Sequence, residues 1–164
     1  MYENQDELKN FQTKLAILAD ILGKKKAALL DVLAISENQE SLYASPATPK
    51  RRDFLMEMGK EKQNHIDTVL QCDEVFQGIF QGISETFTAR GKEFGPEVKL
   101  LQDGIHEVLQ LDIKIRAQEE KVKAAAAAAW AGIGRVDAET GEPIVANKNY
   151  ILEQYKNNNR TRPR

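Results

Sequence analysis

Apolar residues recur at alternating spacings of three and four through most of this chain, and this pattern restricts the fold more than any other feature. Such spacing places apolar side chains on one face of an α-helix. The first series runs through Leu8, Phe11, Leu15, Leu18 and Leu22, and continues at Leu29, Val32 and Leu33. It predicts a helix from about Asp6 to Tyr43. The following segment, ASPATPKRRD, is predicted to be a linker because Pro46 and Pro49 disfavour helix on their N-terminal sides.

A second helix is predicted to begin near Asp53, a suitable N-cap residue. It ends at RGKEFGP, residues 90–96, whose glycines and proline also start the next helix. Its apolar stripe consists of Met58, His65, Val69, Cys72, Phe76, Ile79, Phe80, Ile83 and Phe87.

A third helix is predicted from about Glu97 to Trp130. Asp112 and Glu119 fall on its apolar seam, and Asp112 is expected to reach a partner or to set the helix register. Six alanines, residues 124–129, extend the helix or permit close packing. The seam is a heptad series of Val98, Leu101, Ile105, Val108, Ile115 and Val122. This period is typical of helices that cross at a shallow left-handed angle.

These three segments predict an all-α fold. Helices of about 35–40 residues joined by short connections form an elongated antiparallel up-down helical bundle of three long helices, followed by a short C-terminal helix or tail. Residues 1–134 are predicted to be the helical bundle domain. Residues 135–164, with six Lys or Arg against four Asp or Glu, are predicted to be a turn, a short helix and a mobile basic tail.

Composition points to a soluble, cytoplasmic protein. Charged residues make up 29% of the chain and its mean hydropathy is −0.50. No apolar run approaches the ~20 residues that span a bilayer. The N-terminal MYENQDELKN is acidic and polar, unlike a signal peptide. The single cysteine, Cys72, cannot form an internal disulfide, which suits a reducing compartment. A net charge of −2 does not favour nucleic acid as a partner.

Groups that carry catalytic or metal chemistry are sparse in the sequence. The pairs Glu61–His65 and Asp103–His106 fall short of the repeated Glu-x-x-His motifs and extra glutamates of di-iron bundles. Cys72 lies on the apolar stripe without a nearby basic activator, so a buried, inert thiol is expected. Phosphate-loop, dinucleotide, zinc-protease and nucleophile-elbow motifs do not occur in the sequence. We therefore expect no enzymatic activity, no cofactor and no metal.

The second helix carries a doubled FQGI at residues 76–83. Each interior glycine costs about 1 kcal/mol relative to alanine. On the helical wheel, Gly78 and Gly82 lie on the back of the helix near Val75, whereas Phe76 and Phe80 lie on the front. Three interpretations are open: a central helix with a neighbour on each side, a groove for a guest helix from another protein, or a local weakness that lets the helix bend.

Two stretches resemble flagellar export chaperones of the FlgN/FliT type. They are KEKQNHIDTVLQCDEVFQGIF, with Ile66, Leu70, Asp73, Phe76 and Phe80, and LLQDGIHEVLQLDIKIRAQEEKV, with Leu101, Gln102, Ile105, Ile115, Gln118 and Glu119. The ending, Tyr150 followed by QYKNNN, is similar to the tyrosine- and asparagine-containing ends of such proteins. The resemblance covers about residues 50–123 and 149–159, and residues 124–146 depart from it.

The resemblance implies a small cytoplasmic chaperone of flagellar type III export. Its client would be the C-terminal helical segment of a secreted hook-associated or filament-cap protein, and it would deliver this client to the export gate or export ATPase at the membrane. Such chaperones contact the export gate through a C-terminal tyrosine, for which Tyr150 and Tyr155 are the candidates. The candidate client-binding residues are Phe76, Gly78, Phe80, Gly82, Ile83, Leu101 and Ile105.

The same stripes support two other interpretations. A self-associating coiled-coil structural adaptor, such as a homodimer, would use them to bind a second copy and would have no export role. A metal-dependent bundle enzyme is the third alternative. A defined complex with a peptide from the end of a secreted filament component would distinguish the chaperone from the adaptor.

Overall fold

The described residues, 2–131 of this computed structural model with side chains from Gln5 onward, are helical almost throughout. Helix α1 is Tyr2–Ala44, α2 is Pro49–Arg90 and α3 is Gly95–Ala131, with a 3-10 helix at Gly91–Phe94. No strand occurs among residues 2–131, so the all-α class is confirmed. Because the 3-10 helix joins α2 directly to α3, these residues form two unbroken helical runs in place of the three separated helices that we expected.

The C-terminal predictions fall on residues that are not described. The proposed boundary at residue 134, the tail of residues 135–164, and Tyr150 and Tyr155 all lie outside residues 2–131. They stay predictions.

Helix α2 begins four residues earlier than predicted, and Asp53 is not its N-cap. The hydroxyl oxygen of Thr48 accepts a hydrogen bond from the backbone N–H of Arg51 at 3.1 Å, which is the usual bond of an N-cap threonine to the third helical residue. Pro49 then occupies the first helical position, where its missing N–H costs nothing and its fixed φ suits the helix. The linker is thereby shortened to the few residues between Ala44 and Pro49.

The second predicted break, RGKEFGP, does end α2 and start α3: Arg90 leaves helical geometry at φ −131° and ψ 9°, and the 3-10 helix and α3 follow without an intervening loop. Arg90 lies at the end of α2, and its guanidinium donates to the Glu93 carboxylate at 3.1 and 3.3 Å across the 3-10 turn. Gly95 begins α3 and Pro96 lies in its first turn, where proline is tolerated.

The chain divides into two compact units. Unit 1 contains α1 as far as Leu29, together with Thr68–Asp112. Of the described residues, unit 2 contains α1 from Leu30, α2 as far as Asp67, and α3 from Ile113. All three helices contribute a segment to each unit.

In unit 1 the predicted apolar face of α1 forms the core, and α1 runs antiparallel to α2 and parallel to α3. The core residues of this unit include Phe11, Leu15, Leu18, Leu22, Val69, Ile83, Leu101 and Val108. The helix directions follow from the pairs Phe11–Phe87 and Lys25–Asp73 between α1 and α2, and Gln12–Glu97 and Lys26–Glu107 between α1 and α3. Near the 3-10 turn, the Phe11 ring meets the Phe87 and Phe94 rings edge-on.

In unit 2 the core is smaller and the alanine run contributes to it. Ala126 is buried with Tyr43, Leu55 and Val122, and Trp130 packs against the same cluster. A methyl group is the only side chain that alanine brings, so helices can approach closely at these positions. Of residues 124–129, Ala126 is a core residue, and α3 also continues through the whole run to Ala131.

Unit 2 also buries a charged network. The Lys62 ammonium, with its side chain 1% exposed, is paired with the Glu119 carboxylate and donates to Gln39 Oε1 at 2.9 Å. Ser36 Oγ donates to Glu119 Oε1 at 2.5 Å. Among the described residues, every buried side-chain nitrogen and oxygen has a hydrogen-bond partner. The network therefore joins α1, α2 and α3 with its polar atoms satisfied.

None of the helices in residues 2–131 combines the length and the apolar character that a bilayer span requires.

The buried Arg51 links the two ends of the α1–α2 connection. Its guanidinium donates to the backbone oxygens of Ser45 at 2.6 Å and Tyr43 at 3.4 Å, at the end of α1 where carbonyls lack helical partners. Burial lowers the pKa of the guanidinium, and these acceptors offset the lost hydration.

Replacing Arg51 with methionine is expected to lower the free energy of unfolding by about 1.5–3 kcal/mol, the usual range for hydrogen bonds to a charged group. The measurement is urea unfolding followed by circular dichroism. Arg52→Met, at the exposed neighbouring position, is the control and should change stability by about 0.5 kcal/mol or less. Equal effects for the two variants would contradict this account of Arg51.

Candidate functional site

An apolar cavity of about 230 Å³ lies within unit 1, and each of the three helices contributes three residues to its lining. These residues are Ile21, Leu22 and Lys25 from α1, Cys72, Asp73 and Phe76 from α2, and Ile105, Val108 and Leu109 from α3. Two of the candidate site residues, Phe76 and Ile105, are therefore brought together at one site.

Two of the three helix–helix seams around this cavity are closed by charged contacts. Lys25 Nζ lies 2.5 Å from Asp73 Oδ1 across the α1–α2 seam, and Lys26 Nζ lies 2.8 Å from Glu107 Oε2 across the α1–α3 seam. The α1–α3 seam is also narrow, since a Cβ built on Gly104 would meet the Leu22 side chain at 3.1 Å.

From the exposure of two lining residues we infer that the cavity meets solvent at the third seam, between α2 and α3. The two lining residues of α3 nearest this seam, Ile105 and Leu109, are 37% and 55% exposed. We call this opening the α2–α3 groove and define it by Phe76 at its floor, Ile105 and Leu109 on the α3 side, and Val75 and Gly82 on the α2 side.

Helix geometry places Val75 and Gly82 on the α3 flank of α2. At 100° per residue, positions 75 and 82 are about 20° apart, and both lie about 100–120° from Phe76. Asp73, which faces α1, lies on the other side of Phe76. Val75 is 51% exposed, so the α2 side of the groove offers one apolar side chain beside a bare stretch of helix.

That bare stretch stays open. A Cβ built on Gly78 or on Gly82 would meet no heavy atom within 4 Å, apart from its chain neighbours and the backbone of its own helix. No neighbouring helix packs on these glycines within residues 2–131, so for this part of the chain the interpretation of a central helix with a neighbour on both sides is wrong. Helix α2 nevertheless continues through both positions as one helix.

The front of α2 carries an aromatic series that runs from the cavity towards the 3-10 turn. The Phe76 and Phe80 rings stack with centroids 6.2 Å apart, and Phe80 meets Phe87 edge-on at 5.6 Å. Phe87 in turn meets Phe11 of α1. Phe80 therefore connects Phe76 at the cavity to the aromatic contacts of Phe87.

Two candidate residues are core residues. Ile83 and Leu101 are buried with 4% and 2% exposure, so neither offers surface to a guest in this structure. The exposure of Ile105 differs from its prediction in the opposite direction. Its heptad position predicted a buried seam residue, but its side chain is 37% exposed at the mouth of the groove. The heptad pattern identifies the packed side of α3 and does not distinguish its centre from its edge.

The cavity also contacts the only cysteine. Cys72 is buried, as expected. Burial raises the pKa of its thiol, with Asp73 adding to the effect, while Lys24 and Lys25 act in the opposite direction. The expectation that no basic group lies near Cys72 is wrong, but burial and the adjacent carboxylate outweigh the two lysines, so the thiol stays protonated at neutral pH.

The sequence patterns did not identify two residues: Leu109, which lines the cavity, and Lys62, which belongs to the buried charged network. Leu109 falls outside the heptad seam, and Lys62 was not included in the apolar stripe of α2. A signal for Lys62 was available, since it continues a seven-residue series with the buried Leu55, Val69 and Ile83.

The histidines contribute no metal centre in the described part of the chain. His65 Nδ1 lies 3.6 Å from Asp31 Oδ2, and His106 is exposed. Across residues 2–131, no group of three or more histidine, cysteine, aspartate and glutamate side chains is arranged to hold a metal ion.

No protein-family model matches this sequence, and no match was found among curated proteins or solved structures. The resemblance to flagellar export chaperones therefore rests on the sequence features described above, and the chaperone role stays an expectation.

Proposed function

We propose that this protein binds an amphipathic helix of a partner protein in the α2–α3 groove of unit 1. The observation that carries the proposal is the open glycine stretch beside the apolar groove. Gly78 and Gly82 each cost the helix about 1 kcal/mol relative to alanine, and no contact within the described chain requires a glycine there. A partner backbone that must approach α2 closely explains both positions.

The groove offers the two features that helix recognition uses. An amphipathic helix buries an apolar face against apolar side chains, at about 25 cal/mol per Å² of apolar surface. Leu109, Ile105 and Val75 supply exposed apolar surface, and the glycines allow the guest to lie near the α2 backbone. A shorter distance between helix axes increases the contact that each guest side chain makes.

The class of partner in this proposal follows from the sequence resemblance. We propose a cytoplasmic chaperone of flagellar type III export whose client is the C-terminal helical segment of a hook-associated or filament-cap protein. In this proposal the three helices form an up-down bundle, and Tyr150 and Tyr155 contact the export gate. The protein acts as a binding protein with no catalytic step.

Self-association is the second candidate function, and one observation favours it. Exposed leucines and isoleucines on α3 of unit 1, namely Leu100, Ile105 and Leu109, are available to a second copy of this chain as well as to a guest. A structural adaptor would bury them in a homodimer and would ignore client peptides. Sedimentation equilibrium with and without peptide separates the two functions.

The double variant Gly78→Leu/Gly82→Leu tests the groove directly. Two leucines would fill the bare stretch and block the approach of a guest, so the affinity for a client peptide should fall about tenfold or more. Helicity should be retained, and stability should rise by about 0.5–1 kcal/mol per site because leucine is the better helix former. Calorimetric titration measures the affinity, and circular dichroism measures helicity and melting.

Gly23→Leu is the matched control. Gly23 also lies within a helix of unit 1 and would also place its Cβ in open space, but it belongs to α1 and lies outside the groove. It should raise stability and leave peptide affinity unchanged. Unchanged affinity in the double variant would count against the groove, and equal losses in both variants would show that binding does not depend on this surface.

A further inference from the structure

We infer that the unit 1 cavity is a socket for one large apolar side chain, aromatic or leucine, carried by the guest helix. This inference rests on the proposed function, since it names the part of the guest that the groove selects. The guest is therefore an amphipathic helix with one dominant anchor residue.

The volume of the cavity sets the size of the occupant. An apolar cavity of about 150 Å³ suffices to bind benzene, whereas sites for drug-sized molecules span roughly 300–1,000 Å³. At about 230 Å³, this cavity accepts a single ring or a branched aliphatic group and is too small for a larger ligand.

The lining determines the polarity of the occupant. Phe76, Ile105 and Leu109 present apolar surface, and Cys72 presents a protonated thiol. The two charged residues of the lining, Lys25 and Asp73, are paired with each other at 2.5 Å. An apolar group that enters the cavity therefore leaves neither charge without its partner, so it avoids the usual penalty of burying an unpaired polar group.

The position of the opening determines how the occupant arrives. Ion pairs bridge the α1–α2 and α1–α3 seams, and the exposed Ile105 and Leu109 lie on the remaining side. A side chain that enters from this side must come from a segment lying along the α2–α3 groove. The open glycine surface lies on the α2 edge of the same groove, which fits a helix in that place.

The edges of the groove are continued by both uncharged and acidic side chains. Gln71 lies one heptad before Gly78 on α2, Gln102 lies one heptad before Leu109 on α3, and both are exposed. In the other direction, Glu85 lies one heptad after Gly78 and Asp112 one heptad after Ile105. The anchor side chain is therefore selected by the apolar lining of the cavity, not by the edges of the groove.

Fluorobenzene is a suitable probe of the socket in the purified full chain. Fluorine NMR should show saturable line broadening with the wild-type protein. Ile105→Trp, which fills the mouth, should weaken this binding about tenfold or more, and Leu109→Trp is a second variant of the same kind. Leu100→Trp is the matched control on an exposed site of α3 outside the lining and should bind as the wild type does.

Two results with fluorobenzene would contradict the proposed socket, whether or not a guest helix binds. One is the lack of saturable binding by the wild-type protein. The other is undiminished binding by both tryptophan variants, with circular dichroism confirming that they are folded, because the probe would then occupy a different place.

A client peptide supplies the second arm of the experiment. The peptide should displace fluorobenzene, and replacing each of its apolar residues in turn with alanine should reveal one position that costs about tenfold or more in affinity. A peptide that binds without displacing the probe contradicts the socket and leaves the proposed function standing. A peptide that does not bind contradicts the proposed function, and with it the guest helix as the occupant.

Discussion

Replacing Lys62 with methionine is expected to lower the free energy of unfolding by about 3–5 kcal/mol, the usual cost of removing one partner of a buried ion pair. Methionine fills most of the space of the lysine chain but carries no charge. The Glu119 carboxylate, 5% exposed, would keep the hydrogen bond from the Ser36 hydroxyl but would be left buried without the Lys62 ammonium. Gln39 Oε1 would lose the donor that lies 2.9 Å away. Urea unfolding monitored by circular dichroism measures the loss.

Two further variants test whether the loss of stability comes from leaving the buried Glu119 charge unpaired. Lys60→Met removes a lysine two positions away on α2 whose side chain is 67% exposed and whose contact with Glu57 spans 4.0 Å, so it should change stability by about 1 kcal/mol or less. Lys62→Met/Glu119→Met removes both charges and should be less destabilised than Lys62→Met alone. A double variant that is worse than the single one would contradict the view that an unpaired charge dominates.

The same network accounts for a specific alignment of helices within unit 2. Apolar seams tolerate sliding by a turn, whereas Lys62, Glu119 and Ser36 satisfy one another only in one alignment. Buried polar groups are known to set register in this way. The expectation that Asp112 reaches a partner or sets the register stays a prediction; the three-helix network described here is built around Glu119, one heptad later.

Replacing Phe11 with alanine is also expected to lower the free energy of unfolding by about 3–5 kcal/mol. The Phe11 side chain is 3% exposed, and its ring lies 5.1 Å from the Phe94 ring and 6.5 Å from the Phe87 ring in edge-on geometry. These pairs add to the area that the ring buries. The variant leaves a cavity where α1 meets the 3-10 turn, and urea unfolding followed by circular dichroism measures the cost.

Phe54→Ala removes the same atoms from an exposed position and is the control. The Phe54 ring is 49% exposed and has the Lys50 ammonium 6.0 Å above it, so its removal should cost about 1 kcal/mol or less. Similar losses for the two phenylalanines would mean that Phe11 is not the packing centre of this part of unit 1.

The helices of this protein follow closely from its sequence. The three-four spacing of Phe11, Leu15 and Leu18 identifies a buried face, and prolines and glycines mark both breaks. The start of α2 was placed four residues too late because Asp53 was taken as its N-cap, whereas Thr48 holds that position. The combination of threonine with a proline at the next position is the stronger signal, since the proline fits the first helical turn and blocks an earlier one.

The candidate site follows from the sequence only in part. The pattern of Gly78 and Gly82 predicted a bare surface on α2, and the structure leaves that surface open. The pattern also placed Ile83 and Leu101 at the same site, although both belong to the core. Periodicity locates an apolar face to within about a quarter of a turn, and this is too coarse to separate core from groove edge.

The cavity itself could not be predicted from periodicity. It exists because side chains of unequal size meet where the three helices of unit 1 converge, and one of its mouth residues, Leu109, lies off the heptad seam. Cavities depend on how well particular side chains interlock, which varies by single methylene groups. The positions of Lys25 and Asp73, which close one side of the cavity, depend likewise on helix rotation.

The most direct measurement is the set of intermolecular contacts between a methyl-labelled protein and a client peptide, observed as isotope-filtered NOEs. The peptide should come from the C-terminal helical segment of a hook-associated or filament-cap protein of the same organism. We expect NOEs from the peptide to the methyl groups of Val75, Ile105 and Leu109. NOEs confined to other exposed residues of unit 1, such as Ile17 and Leu100, would contradict it.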